Sequence, residues 1–422
     1  MGNNGATTGS SLSRGDLVGG NNVVLQAVGT KMRILQVTLS FKPSWEAGGV
    51  TKVAYGISKR LAEQGHNVTV YTTNMILREL DVEANRPIDL EGMRVYYFAN
   101  LRKYLSTRIP PIPYYLPLIA KKEVKQFDII HIHDHRTLLA ATIHHYAKKY
   151  NVPYVLQAHG SLTTFFQKGW LKKIFDVIWG YGILKDASKV IAITKEEVEQ
   201  YKSMGISEDK IAIIPHGIDL SEFDNLPQRG EFKRKYGLND NQRIIFYLGR
   251  IHKTKGLDLL TKAFADLSEE IDNARLVIAG PSDGYLSPLR QLIKELHIGE
   301  KILITGPLYE REKLKAYVDA DICVLPSSYE IFGMTILEAC ACGTPVVLTD
   351  RCGIAEAVNN GQAGLVVPYD KEQLQYAIQH MLSDDKMRLQ FSEKGKLLVR
   401  EKFNCEKMAE QIESVYKGVK SG

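Results

Sequence analysis

The chain has 422 residues, 44% of them hydrophobic and 24% charged, with 54 lysines and arginines against 48 aspartates and glutamates. That length is long for one core and argues for two domains. The composition is that of an ordinary soluble globular protein, and no run of eighteen apolar residues is present to span a bilayer. The basic excess is concentrated in 101–185, where thirteen lysines and arginines face four acids, a local +9 against +6 for the whole chain. Such a window reads either as a solvated basic face or as a surface for an anionic partner. All five cysteines fall in 323–405, odd in number, without a CxxC pair and among apolar neighbours. They read as reduced core residues of a cytosolic protein.

Residues 1–31 are rich in Gly, Asn, Ser and Thr, and they read as a disordered leader or cloning remnant outside the fold. Order is expected from "MRILQVTLSF" (32–41), a buried-type strand. A Gly48-Gly49 loop, a helical pattern and the strand "NVTVYTT" follow, completing a strand–helix–strand unit of a parallel sheet. The alternation continues through "FDIIHIH" (127–133), "VPYVLQAHG", a long helical region over 164–187, "KVIAIT" and "KIAIIP". "PHGIDLSEFDNLP" (215–227) is polar and turn-rich and marks a domain boundary. A second alternation begins at "RIIFYLGR" and runs to "AGLVVP", followed by helices over 371–382 and 386–400 and a last one in "CEKMAEQIESVYKGV". The expected architecture is α/β, with two doubly wound Rossmann-like domains facing across a cleft at their strand carboxyl ends. The boundaries are 32–217, 218–400 and a terminal helix within 401–422.

The densest chemistry lies in "PSSYEIFGMTILEACACGTPVV" (326–347). On one helix, Glu330 and Glu338 would stand about 80° apart, a poor shared face. They read better as a loop carboxylate and a helix carboxylate facing one ligand. The amides of Phe332, Gly333, Met334 and Thr335 between them would form an anion site at a helix N-terminus. The plainer alternative is an acidic residue favouring the helix dipole and one solvated glutamate, although the apolar neighbours of Glu338 weigh against solvation. In "YLGRIHKTKG" (247–256), Arg250 and Lys255 suit a departing diphosphate; from this stretch alone, ordinary loop cations serve as well. His159 ends a strand in "QAHGSL", and Gly48 and Gly49 in "EAGGV" would let backbone approach a ligand. In "HIHDH", strand alternation puts His131, His133 and His135 on one face with Asp134 opposite, but without further ligands no metal site is assigned.

Together these stretches resemble the retaining glycosyltransferases of family 4, which have the GT-B fold. The likeness runs from Met32 to about Tyr416. The 326–347 stretch resembles that family's two glutamates separated by seven residues. "GRIHKTKG" resembles its diphosphate loop, "AHGSL" its histidine-glycine strand end, "PHGID" its interdomain entry and "EAGGV" its glycine loop. "FNCEKMAEQIESVY" is similar to its terminal helix, which crosses back to the first domain. His216 stands where an asparagine is common, and Cys352-Gly353 where paired glycines are common.

The resemblance implies transfer of a hexosyl unit from a nucleoside diphosphate sugar, UDP- or GDP-linked, to an acceptor hydroxyl with retention and without metal or other cofactor. Arg250 and Lys255 would grip the diphosphate, the amides of 332–335 would lie along it, and Gly48-Gly49 would pass near it. Glu338 would bind ribose hydroxyls, while Glu330 and His159 would touch the transferred sugar. The expected acceptor is a lipid-linked or cell-envelope glycan. Two basic, apolar stretches, 101–122 and 165–185, would suit an anionic membrane surface or simply pack with a solvated lysine face. The expected location is cytoplasmic, peripheral at the inner face of a membrane, with no nucleic-acid partner because no binding motif is present. The competing functions are a GT-B epimerase and a nucleotide-sugar binding protein without turnover.

Overall fold

Continuous apolar strands alternating with amphipathic helices fold into two twisted sheets, each covered by helices. A computed structural model describes residues 1, 31–74, 79–101, 111–162 and 169–421. The leader reading for 1–31 therefore falls almost wholly outside the described residues, as do parts of the two basic stretches.

The first sheet comprises β1 (Arg33–Val37), β2 (Asn67–Thr73), β3 (Pro87–Leu90), β4 (Met93–Phe98), β5 (Ile129–His133), β6 (Tyr154–Gln157), β7 (Lys189–Ala192) and β8 (Ile211–Ile213). Their order is 3-4-2-1-5-6-7-8, parallel except for the β3–β4 hairpin. Between the strands run α1 (Gly49–Glu63), α2 (Leu116–Glu123), α3 (Leu138–Tyr150), α4 (Gly169–Phe175), α5 (Tyr181–Asp186) and α6 (Lys195–Ser203). Both faces are buried. Leu35, Ile130 and Leu156 pack under α2, α3 and α5, while Ile34, Val68 and Ile129 pack on the opposite face with α1.

The second sheet comprises β9 (Arg243–Leu248), β10 (Ala274–Ala279), β11 (Ile302–Gly306), β12 (Ile322–Leu325), β13 (Val346–Thr349) and β14 (Gly364–Val367), all parallel in the order 11-10-9-12-13-14. Its helices are α7 (Glu231–Tyr236), α8 (Leu257–Glu270), α9 (Leu286–Glu295), α10 (Glu310–Asp319), α11 (Met334–Ala341), α12 (Ala355–Asn360), α13 (Lys371–Ser383) and α14 (Asp385–Lys402). The strand order reverses between β9 and β12, so a crevice opens at their carboxyl ends. The first sheet reverses likewise between β1 and β5.

The last helix, α15 (Cys405–Ser421), leaves the second sheet and returns to the first. Its Met408, Ile412 and Tyr416 join the core formed with β1 and α1. Two contacts fix the crossing. Ile218 bonds on both sides of Asn404, its N–H donating to Phe403 O at 2.9 Å and its carbonyl accepting from Cys405 N at 3.0 Å. Gly217 has no room for a side chain: a Cβ there would stand 2.3 Å from Asn404 O.

Three expectations change. The hairpin β3–β4 was not foreseen, although its two-residue turn, Glu91 at φ +56 and Gly92 at φ +78, carries a glycine. The opening strand stops at Val37 rather than Phe41, as the chain turns towards Gly48. His135 lies beyond β5, after Asp134 at φ +67, so the alternation that would align three histidines is broken.

Candidate active site between the two sheets

The loop after β9 and the loop after β12 meet at the switch point, and the chain stitches them together. Gly256 takes φ +63 and lies so close to Pro326 that a Cβ would stand 1.9 Å from its carbonyl. Ser328 then bonds Thr254 O through its N–H at 3.0 Å and its hydroxyl at 3.1 Å. That suture brings Lys255 Nζ to Glu330 Oε2 at 2.5 Å, with only 13% and 17% of their side chains exposed. Arg250, by contrast, is 62% exposed and pairs with Asp283 at 2.6 Å. The two cations expected to act as one clamp thus have different partners in this state.

Gly333 caps α11 at φ +107, a backbone that glycine adopts without strain. The first-turn amides of Met334 and Thr335 have no acceptor within their own helix. Both residues line a cavity of about 920 Å³ together with Gly48, Gly49, Arg250 and Glu338. Gly48 holds φ +108 at the start of α1, and a Cβ on Gly49 would lie 3.5 Å from Met334 Cγ, so the first half meets α11 across the cleft. His159, Lys255, Glu330, Phe332 and Gly333 do not line this cavity. Phe332 is instead a core residue, its ring against His216 and Phe403.

Glu338 is the fifth residue of α11, little more than one turn in, and it is buried. Its carboxylate meets Lys313 Nζ at 2.6 Å and Lys52 Nζ at 2.9 Å, with the Tyr317 hydroxyl at 3.3 Å. Burial alone would raise its pKa, but Lys313 and Lys52 overcome it and hold the group near 2. The reading of a solvated helix glutamate is thereby excluded. Lys52 comes from α1 and Lys313 from α10, so the pair ties the two halves together through one carboxylate. Neither lysine belongs to a recognisable motif, which is why sequence reading missed both.

His159 sits at φ +51 in the turn after β6. Gly160 N–H donates to Glu197 Oε1 at 2.5 Å, and Ile193 N–H donates to the other carboxylate oxygen at 2.9 Å. Glu197, another residue the motifs did not reveal, therefore holds the turn. Both His159 nitrogens are engaged, Nε2 with His133 Nδ1 at 2.8 Å and Nδ1 with His216 Nε2 at 2.9 Å. His133 Nε2 meets Gln36 Oε1 at 2.9 Å, an acceptor, so it carries the proton and its Nδ1 accepts from His159. The same logic makes His216 the donor to His159. From Gln36 the chain continues through its amide to the Tyr416 hydroxyl at 3.1 Å, and His131 Nδ1 meets that hydroxyl at 2.7 Å. The row thus continues from His133 to His159 and His216 rather than to His135, and His216 enters from the "PHGID" stretch.

Burial and the neighbouring imidazoles keep the array neutral: His131 and His216 fall to about 3, and His133 and His159 lie well below their usual value. Burial pushes Asp134 and Glu197 the other way, to about 7. Between about pH 4.5 and 6.5 the unfolded chain protonates four imidazoles that the folded chain leaves neutral, while the folded chain protonates two carboxyls that the unfolded leaves ionised. The net difference of two protons among these groups, to which His135 adds in the same direction, predicts that stability falls as the pH is lowered, by about 2–3 kcal/mol per unit or more. Urea midpoints at about pH 7, 6 and 5 check this; a flat or rising midpoint contradicts it.

The match to known proteins covers both halves. The model of the glycosyl transferases group 1 matches residues 228–398, and that of Glycosyltransferase Family 4 matches 47–222. An uncharacterized glycosyltransferase of Methanocaldococcus jannaschii is 30% identical over 409 residues, spanning 92% of this chain and 98% of the relative. The chain belongs to the group 1 glycosyltransferases. This glycosyltransferase has the GT-B fold, and its Anabaena neighbour HepE, solved with UDP and glucose, superposes with a TM-score of 0.73 at 18% identity, covering 92% and 99% of the two chains. An alpha-monoglucosyldiacylglycerol synthase of Streptococcus pneumoniae is 28% identical over 335 residues, 75% of this glycosyltransferase and 70% of the relative.

Proposed function

We propose that this glycosyltransferase moves a hexosyl unit from a UDP- or GDP-sugar to an acceptor hydroxyl, with retention and without a metal or other cofactor. One observation carries the reading: the loops after β9 and β12 converge at the switch point with Lys255 on Glu330, while the open first turn of α11 and Arg250 line one cavity. Those are donors arranged for a diphosphate. The UDP in the HepE structure supports the same choice of donor.

In this reading the second half, 218–400, holds the donor, the first half, 32–217, holds the acceptor, and 401–422 straps them together. Arg250, Lys255 and the amides of 332–335 meet the diphosphate, past which Gly48-Gly49 runs. Lys52 gives up Glu338 to the ribose hydroxyls. Glu330 and the His159 turn face the transferred sugar, with His159 contributing its backbone and ring edge because both nitrogens are occupied. The bond from the anomeric carbon to the diphosphate oxygen breaks with its electron pair going to phosphate. The acceptor oxygen bonds the anomeric carbon on the same face, and its proton passes to the departing phosphate oxygen. The neutral imidazole array suits the positive charge that develops on the sugar. Glu330 is not the nucleophile here, since its carboxylate is committed to Lys255.

The acceptor is a lipid-linked or cell-envelope glycan, reached from the cytoplasmic side of a membrane, with no role for nucleic acid. The diacylglycerol-directed name of the pneumococcal relative supports a lipid acceptor. NMR of the product formed from a UDP- or GDP-sugar tests the mechanism. Retained anomeric configuration is expected; inversion, or a trapped covalent glycosyl-Glu330, contradicts it.

A further inference from the structure

The segment from α4 to α5 carries its apolar side chains on the outside. Trp170, Ile174, Val177, Ile178, Trp179 and Tyr181 are all exposed, Val177 by 76%, Trp170 by 66% and Ile178 by 57%. A helix on a globular protein ordinarily presents charge to water there. Its rotation is fixed from within. Asp176 begins a π-helical turn (Asp176–Gly180) and faces inward, where Arg136 donates to it through Nε at 2.8 Å and through a terminal nitrogen at 2.7 Å. A Cβ on Gly180 would stand 2.5 Å from that carboxylate, so glycine is what lets the turn close over it. Ile183 and Leu184 then plug into the core under the first sheet. With Asp176, Ile183 and Leu184 committed inward, the apolar row has nowhere to go but outward.

We infer that this helical segment is a membrane-docking wedge that inserts its apolar row into the interface of an anionic bilayer. Trp and Tyr mixed with aliphatic residues suit the boundary between headgroups and acyl chains. The charge around the row is complementary to anionic lipid. Lys173 and Lys185 are exposed within it. The neighbouring helices α2 and α3, packed on the same face of the sheet, add exposed Lys121, Lys122, Lys148 and Lys149. The exposed acid there, Asp186, is paired with Lys148 at 2.8 Å. A second copy of the chain fits this face poorly, because a two-fold contact would set one lysine-rich face against another. No helix among the described residues is long and apolar enough to cross a membrane, so attachment is in the plane of the interface.

The wedge is coupled to the site. The guanidinium that holds Asp176 also donates to the carbonyls of Ser161 and Leu162, in the turn that carries His159. Docking would therefore present a lipid-linked acceptor beside that turn. The use of the surface rests on the proposed transfer, whereas its attraction to lipid does not.

Flotation of the full chain with vesicles of neutral phosphatidylcholine, and of phosphatidylcholine with phosphatidylglycerol, tests the inference. The protein is expected to float with the anionic vesicles and to be released by salt. The double change Val177→Asp with Ile178→Asp should abolish flotation. Lys173→Glu with Lys185→Glu should weaken it by about fivefold per charge or more. Thermal shifts with UDP or GDP on the same variants should match those of the parent, which separates failure of docking from failure of donor binding. A parent that stays in the dense fraction, or an aspartate variant that floats equally well, overturns the inference. So does a dimer of the parent in sedimentation that the aspartate variant lacks, which would assign the face to self-association.

Discussion

Changing Lys255 to alanine is expected to lower kcat/KM for sugar transfer by about 10²–10³-fold, the loss of one fixed charge that stabilises a developing anion. Its position makes the effect large. The side chain is mostly buried, and its ammonium is held at the switch point by Glu330 at 2.5 Å. Removing it takes away the cation paired with Glu330. The fall should appear mainly in kcat, since the charge it meets grows as the bond breaks. Arg250→Ala should cost less and weigh more on KM, because Arg250 is largely exposed and already shares its charge with Asp283. Steady-state kinetics on both variants checks the contrast; equal effects in kcat from the two would contradict the separate roles.

Glu338→Ala is expected to destabilise the fold by about 3–5 kcal/mol as well as to abolish donor binding. The carboxylate is the common partner of Lys313 and Lys52, and Lys313 is buried. Without it, an ammonium remains in the interior with only Glu222, 3.7 Å away, to offset the charge. Lys52→Met is the informative companion. Lys52 is partly exposed and Lys313 would keep Glu338 paired, so a loss nearer 1 kcal/mol is expected. If Lys52 competes with the ribose for Glu338, this variant should also bind the nucleotide at least as tightly as the parent. Urea unfolding and nucleotide titration measure the two effects. A neutral Glu338→Ala variant would mean that the buried cluster is not closed in solution.

The alternation of apolar strands and helices was legible throughout the second half, because its strands are short apolar runs, the central ones buried on both faces. The β3–β4 hairpin was not, although Gly92 in its turn was a signal, because β3 is a short strand whose residues alternate between exposed and half-buried. The 326–347 stretch correctly placed a loop carboxylate and a helix carboxylate on either side of a helix N-terminus. It did not reveal that each carboxylate already has a lysine, because Lys52, Lys255 and Lys313 arrive from three separate elements. The expectation for Phe332 concerns its backbone amide; that its ring packs in the core against His216 and Phe403 was not legible in the stretch. The histidine row shows the same limit. Strand alternation paired His131 with His133, but only the turn after β6 and the "PHGID" entry could supply His159 and His216 as the next links. The apolar stretch within 165–185 was visible as composition; which side chains face outward depends on Asp176 being drawn in by Arg136, a contact forty residues away in sequence.

A thermal-shift series with UDP, GDP and ADP and their sugars, on the parent and on Lys255→Ala, tests most directly whether the cleft binds a nucleoside diphosphate sugar. At about a hundredfold excess over Kd, the cognate nucleotide should add about 2.7 kcal/mol to the parent's stability and raise its Tm, with a much smaller rise for the variant. No shift with any nucleotide up to millimolar concentration, or an equal shift in the variant, would contradict the assignment of the switch-point crevice as the donor site.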